Sequence, residues 1–130
     1  MKFRIYYDDT DAQGIVYHAN YIKFCERARS EALMRAGVRF FGEHSHFVVS
    51  DLQAKFLRSA VLGDELEIKT TLKELKNASA VLTQKIYKLK DINGHEFDEL
   101  IFAQDVRVAY LQNGKPVKFS DEIVEFFKGL

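Results

Sequence analysis

A single cysteine, Cys25, excludes any intrachain disulfide, which fits a reducing compartment. Only one proline is present, Pro116, and it stands near the end, so no proline-rich linker divides the 130 residues. Neither charge sign is in excess: Lys plus Arg and Asp plus Glu both number 19, which argues against a nucleic-acid binder. No apolar run is long enough to cross a bilayer, so no transmembrane segment is expected. The start, "MKFRIYYDD", offers no apolar stretch with a small-residue cleavage site, so no signal peptide is expected either. With 47% hydrophobic and 29% charged residues, the expectation is an ordinary globular chain in the cytoplasm, a single domain over residues 1–130.

Periodicity gives the element order. "KFRIYY" (2–7) alternates and reads as a strand with Phe3, Ile5 and Tyr7 on one face. From about Asn20 to Ala36 the apolar residues fall three and four apart, through Tyr21, Phe24, Cys25, Ala28, Ala32 and Leu33, which predicts a helix stopped at Gly37. Strand patterns follow over 51–56, 65–72, 79–90 and 97–111, with turns at Gly63-Asp64 and Asn93-Gly94. The last long run looks apolar on both faces at Ile101, Phe102, Ala103, Val106 and Val108, so a second subunit is expected to cover one face. Ser120 is placed to cap a closing helix with Ile123, Phe126 and Phe127 as its stripe. Strand, long helix, then strands is an α+β plan, an antiparallel sheet wrapped along one central helix.

The chemistry gathers in "DTDAQGIVYHANY" (9–21). A helix start offers unpaired N–H groups and a partial positive charge that can stabilise an oxyanion. Gly14, without a Cβ, allows close approach of a ligand or another backbone. A carboxylate upstream can attack a carbonyl or activate water, and the set suffices for acyl transfer to water. A thioester suits so sparse a site, because its thiol leaves with a pKa of roughly 8.5 and needs little acid help. No G-x-S-x-G elbow is present, so a serine hydrolase is unsupported. Spacing alone nevertheless favours Asp8, Asp9 and Asp11 as a solvated capping loop, and His18 as equally a surface histidine or a functional one.

"YYDDTDAQGIVYHANYIKFCERAR" (6–29) resembles the signature of the hotdog-fold 4-hydroxybenzoyl-CoA thioesterase family, and more narrowly the Tol–Pal-associated acyl-CoA thioesterases of Gram-negative bacteria. "LQAKFLRSAVLGDELEIKT" (52–70) resembles the family's second block, with Ser59-Ala60 where Pro-Ala is frequent. The resemblance covers nearly the whole chain. It implies a helix wrapped by an antiparallel sheet and acyl-CoA thioesterase activity in lipid metabolism. It also implies homo-oligomers, dimers paired into tetramers, with sites at the dimer interface. It places the catalytic carboxylate on Asp11 and the carbonyl-polarising N–H near His18, with the His18 side chain and Tyr7 as further catalytic candidates.

Gly14, Arg58, Ser59 and Glu26 are the substrate-binding candidates, with Arg58 nominated among the basic residues for the coenzyme A phosphates. Lys85, Lys88 and Lys90 read as a solvated strand face, Cys25 as a small core residue, and Tyr21, Phe24 and Phe47 as acyl-pocket candidates that also suit a plain core. His44 and His46 in "GEHSHF" lack a third ligand at a recognised spacing, so no metal is expected, and the segment reads as a loop before a strand. No cofactor is expected, since coenzyme A enters as part of the substrate; an acyl carrier protein is the other carrier considered. The alternatives are a non-catalytic acyl-carrier or Tol–Pal interaction module, and a hotdog dehydratase or hydratase, whose histidine motif is not found here.

Overall fold

The computed structural model describes all 130 residues. In chain order they form β1 (Lys2–Arg4), a 3-10 turn (Tyr7–Asp9), α1 (His18–Arg35), β2 (Ser45–Phe56), β3 (Glu65–Leu75), β4 (Ser79–Lys90), β5 (Glu96–Gln112), β6 (Lys115–Val117) and α2 (Asp121–Lys128). The strands make one six-stranded sheet in the order β1-β3-β4-β5-β2, with β6 paired to β5. β1 lies antiparallel to β3, Phe3 opposite Leu66, and β6 antiparallel to β5, Leu111 opposite Pro116. Proline is tolerated there because β6 is a short strand at the sheet's margin.

The long helix and the main strands stand where periodicity predicts them, and the departures have local causes. β1 ends at Arg4, and the first apolar run delivers Ile5, not Tyr7, to the core; Ile5 is fully buried, while Tyr6 and Tyr7 are exposed. The chain turns at once into the 3-10 turn, whose closing bonds are Asp9 N–H to Tyr6 O and Thr10 N–H to Tyr7 O, both 3.1 Å. β2 begins six residues before the predicted strand, so His46 lies on the strand and not in a loop.

The two Asn-Gly pairs behave differently. At Asn93-Gly94 only Gly94 has positive φ, and the Asp91 carboxylate shapes the turn by accepting from the N–H groups of Asn93 and His95, each at 2.9 Å. At Asn113-Gly114 both residues have positive φ (52° and 79°), the signature of the tight hairpin that joins β5 to β6. β5 is apolar on both faces only in its middle, where the consecutive Ile101 and Phe102 are both fully buried; beyond them the two faces differ. Phe102, Val106 and Val108 are buried, but Asp105 and Arg107 on the opposite face are held in ion pairs with Lys73 and Glu74.

The residues group into two compact units: Met1–Ala28, Ala54–Lys69 and Gln84–Gln104 in the first, Arg29–Gln53, Thr70–Thr83 and Asp105–Leu130 in the second. The first unit's core joins Tyr21, Phe24, Cys25 and Ala28 of α1 to Ile68, Ile86, Ile101 and Phe102. Burying one such large side chain is worth about 1.5–3 kcal/mol. Two buried amides tie α1 to strands within this core: Gln84 Nε2 donates to the Cys25 carbonyl at 2.9 Å, and Gln104 Nε2 to Gln84 Oε1 at 3.0 Å. The second unit's core joins Leu33, Val38, Leu82, Val106 and Val108 to Phe119, Ile123 and Phe127.

Two substitutions test these local arguments. Ser120 Oγ accepts from Ile123 N–H at 3.2 Å and caps α2. Ser120→Ala should cost about 1 kcal/mol in urea unfolding. Gly63 has φ +86°, and a Cβ there would lie 2.5 Å from the Ile92 Cβ. Gly63→Ala should therefore cost roughly 2–4 kcal/mol, strain and overpacking adding; a melting temperature equal to wild type would refute the crowding.

Candidate active site

Residues 10 to 16 form a small hairpin. Thr10 and Val16 bridge, Asp11 N–H donates to Ile15 O at 2.9 Å, and Gly14 N–H donates to Asp11 O at 3.0 Å. The Asp11 carboxylate shapes this turn, its Oδ1 accepting from Gln13 N–H at 2.8 Å. Its Oδ2 has no partner in the chain, and the side chain is half-buried. Asp11 is thus both a turn residue and an available carboxylate. Gly14 is needed for conformation, with φ +80°; no atom of the chain comes within 4 Å of where its Cβ would stand, so the close approach of another backbone did not materialise.

The chain passes from this hairpin into α1. The Asp9 carbonyl receives Tyr17 N–H at 3.1 Å and Asn20 Nδ2 at 2.9 Å, which fixes the entry angle. Asp9 is therefore more than a loop acid, and its carboxylate also accepts from Tyr6 N–H. The N–H groups of His18 and Ala19 meet no acceptor in the chain, and no acidic residue occupies the first turn of α1. The positive end of the helix is left available to an outside oxygen. The exposed His18 ring lies 4.4 Å from the Tyr17 ring and 6.0 Å, edge-on, from Phe56, between centroids.

One loop holds hairpin and helix start together. Val16 N–H donates to Ala60 O at 2.9 Å, and Ile15 bridges Val61. Ala60 N–H donates to the Tyr21 hydroxyl at 2.9 Å, one helical turn past His18. Burial raises the Tyr21 pKa above the ordinary phenol value, and the Asp64 charge adds to this; the Ala60 bond works the other way. Tyr21 stays a neutral phenol. Asp64, fully buried, accepts from Val61 N–H at 2.9 Å through Oδ2, which also lies 3.5 Å from Lys88 Nζ.

The remaining sequence candidates are scattered. Tyr7 is 81% exposed and its phenol bonds nothing; only its carbonyl takes part, accepting from Thr10. Glu26 is exposed two turns into α1, about 12 Å along the axis from His18 at 1.5 Å per residue. Arg58 is exposed and 3.8 Å from Glu99, which offsets part of its charge, and Ser59 beside it is exposed. Lys88 corrects the reading of a solvated lysine face: its ammonium is held by Asp64 and lies over the Phe97 ring, while Lys85 and Lys90 are exposed. His44 lies 3.7 Å from Glu43, and His46 Nδ1 is 3.1 Å from the Phe47 carbonyl. Cys25 is buried in the core, and Tyr21 and Phe24 are core residues.

Sequence reasoning missed the Tyr21 hydroxyl, Asp64 and Lys88. Gly63-Asp64 signalled only a turn, and no local pattern reveals a buried partner 24 residues away. Chemically, the parts are a carboxylate with one free oxygen, two unpaired N–H groups at a helix start, and a hydrogen-bonded loop that both are tied to. That set fits attack on a carbonyl whose oxygen gains charge.

Comparison with known proteins gives the family. The model of the thioesterase superfamily matches residues 13–94. An acyl-CoA thioesterase, YbgC, of Helicobacter pylori is 40% identical over 112 residues, 85% of this chain and 84% of that protein. The acyl-CoA thioester hydrolase YbgC of Escherichia coli O157:H7 is 37% identical over 105 residues, 78% of each chain. A solved 4-hydroxybenzoyl-CoA thioesterase in complex with 4-hydroxybenzoyl-CoA is 20% identical, covers 97% of this chain and 95% of its own, and superposes with a TM-score of 0.84, a likeness of fold. A matching model across more than half of the residues and relatives of this identity place the chain in the thioesterase superfamily, with the hotdog fold.

Proposed function

We propose that this protein hydrolyses acyl-CoA thioesters to a free acid and coenzyme A. The observation that carries the reading is the pairing of a carboxylate oxygen without a partner, Asp11 Oδ2, with the unpaired His18 and Ala19 N–H groups, both anchored to the same Ala60–Val61 loop. The thioester carbonyl points its oxygen at the helix start, where the N–H groups and the helix dipole stabilise the charge that develops on it. Asp11 acts from the other side. It either takes a proton from the attacking water or attacks the carbonyl carbon itself, in which case water then cleaves the resulting anhydride. In both routes the C–S bond breaks, and the thiolate leaves with little need for an acid before it takes up a proton.

The His18 ring, exposed beside Tyr17 and Phe56, positions the substrate or the water. Coenzyme A is substrate and not cofactor, and Gly14, Arg58 and Ser59 line its approach. An acyl carrier protein presents the same thioester and is the second carrier to test. The protein works as a dimer, further paired into tetramers. Support comes from β2, last in the strand order, which exposes Val49 and Phe56 and leads into exposed Leu57. Adding a strand across such an edge covers unpaired backbone groups and apolar side chains together.

Asp11→Asn keeps an acceptor for Gln13 N–H, so the turn survives while the charge goes. With acyl-CoAs of increasing chain length, released thiol should be plentiful for wild type and at least about a hundredfold slower for the variant. Equal rates would sink the role of Asp11, and no hydrolysis of any acyl-CoA or acyl carrier protein would sink the activity. Light scattering at micromolar concentration should give a mass above that of one chain; a monomer alone would contradict assembly through β2.

A further inference from the structure

Hydrogen bonds from several elements converge on the short segment between β2 and β3, with Ile101 and Ile5 holding its two ends. Ala60, fully buried, uses both halves of its peptide framework: its N–H donates to Tyr21 Oη and its carbonyl accepts from Val16, each at 2.9 Å. Val61 bridges Ile15 and donates its N–H to Asp64 Oδ2. Beside the direct tie through the Asp9 carbonyl, a second path therefore runs from His18 through one turn of α1 to Tyr21, to Ala60, to Val16 and Ile15, and so to Asp11. Tyr21 is the only side chain that crosses from the helix to this loop by a hydrogen bond, and Asp64 holds the loop from its far end.

These bonds are more than a fold requirement. The Tyr21 ring is already packed by stacking on Phe102 at 5.4 Å and edge contacts with Phe24 and Phe56. A phenylalanine would keep all of that. What the hydroxyl adds is a fixed distance between two pieces of backbone. The phenol also has a hydrogen to donate, with no acceptor in the chain, and Asp64 Oδ1 is a fully buried acceptor without a donor.

We propose that Tyr21 and Asp64 are positioning residues that clamp the Ala60–Val61 loop and thereby set the Asp11 hairpin against the start of α1. The inference rests on the thioesterase reading of that site. Neither residue touches substrate. Tyr21 sets the separation of carboxylate and carbonyl-binding N–H groups, and Asp64 stops the loop from following the hairpin outward. Displacement of about 1 Å in such a constellation lowers turnover by up to roughly a hundredfold without removing any binding contact.

Tyr21→Phe is the primary test, with Asp64→Asn as the second variant should the first melt too low to assay. Two measurements are needed. Amide hydrogen exchange should accelerate by about tenfold or more over residues 10–18 and 57–61, the opening expected when a buried N–H loses its partner, with residues 79–90 unchanged. Steady-state hydrolysis should show kcat down by roughly tenfold to a hundredfold with KM within about twofold of wild type. Unchanged exchange at the hairpin overturns the clamp. Faster exchange with unchanged kcat overturns the positioning role. If wild type hydrolyses no acyl-CoA, the functional reading fails by itself, and accelerated exchange still establishes the clamp. A KM rise with kcat constant would place Tyr21 in substrate binding and also overturn the proposal.

Discussion

The hydrogen bonds made by Ala60 add a second tie, beside the Asp9 carbonyl, between two adjoining pieces of backbone. On one side is a hairpin turned by an aspartate; on the other, the first turn of an 18-residue helix. Both of Ala60's polar groups are buried and paired, and a buried N–H or carbonyl left unpaired costs about 1–3 kcal/mol. The loop cannot shift without breaking a bond to one side or the other. Ser59, next to Ala60, is exposed and its N–H bonds nothing in the chain, so it takes no part in this junction.

The two helix starts of the chain are finished in different ways. α2 begins with Ser120 accepting from Ile123 N–H, and Asp121 and Glu122 stand in its first turn. Its positive end is satisfied from within. α1 has no acidic residue in its first turn, and its entry is fixed by contacts to the Asp9 carbonyl that leave the His18 and Ala19 N–H groups unpaired. The acids that could have capped it are turned to other work. Asp9 bonds Tyr6 and Asp11 bonds Gln13. An unsatisfied helix start beside a carboxylate is unfavourable for stability and useful for binding a developing oxyanion.

Much of this was legible in the sequence where the information is local. Alternation located the strands, three-and-four spacing located α1, and the Asp-Thr-Asp to His stretch marked the candidate site because all its parts lie within 13 residues. What could not be read depends on distant partners or on which of two similar signals prevails. The Tyr21–Ala60 bond spans 39 residues, and Tyr21 looked like any core aromatic. Lys88 read as one of three solvated lysines because nothing near it announces Asp64. Tyr7 fits the alternation of the first strand, but the 3-10 turn at residues 7–9 takes it out of register. Asn93-Gly94 looked like the tight hairpin, yet the Asp91 carboxylate imposes a different turn, and the tight one is at Asn113-Gly114.

The central claim is that the thioester carbonyl sits at the start of α1, facing Asp11. An acyl-CoA analogue with the thioester sulfur replaced by methylene keeps the carbonyl and resists hydrolysis. Titrated into the 15N-labelled protein, it should move the amide proton signals of His18 and Ala19 downfield as the complex saturates. Saturable binding that leaves both signals in place would contradict the account.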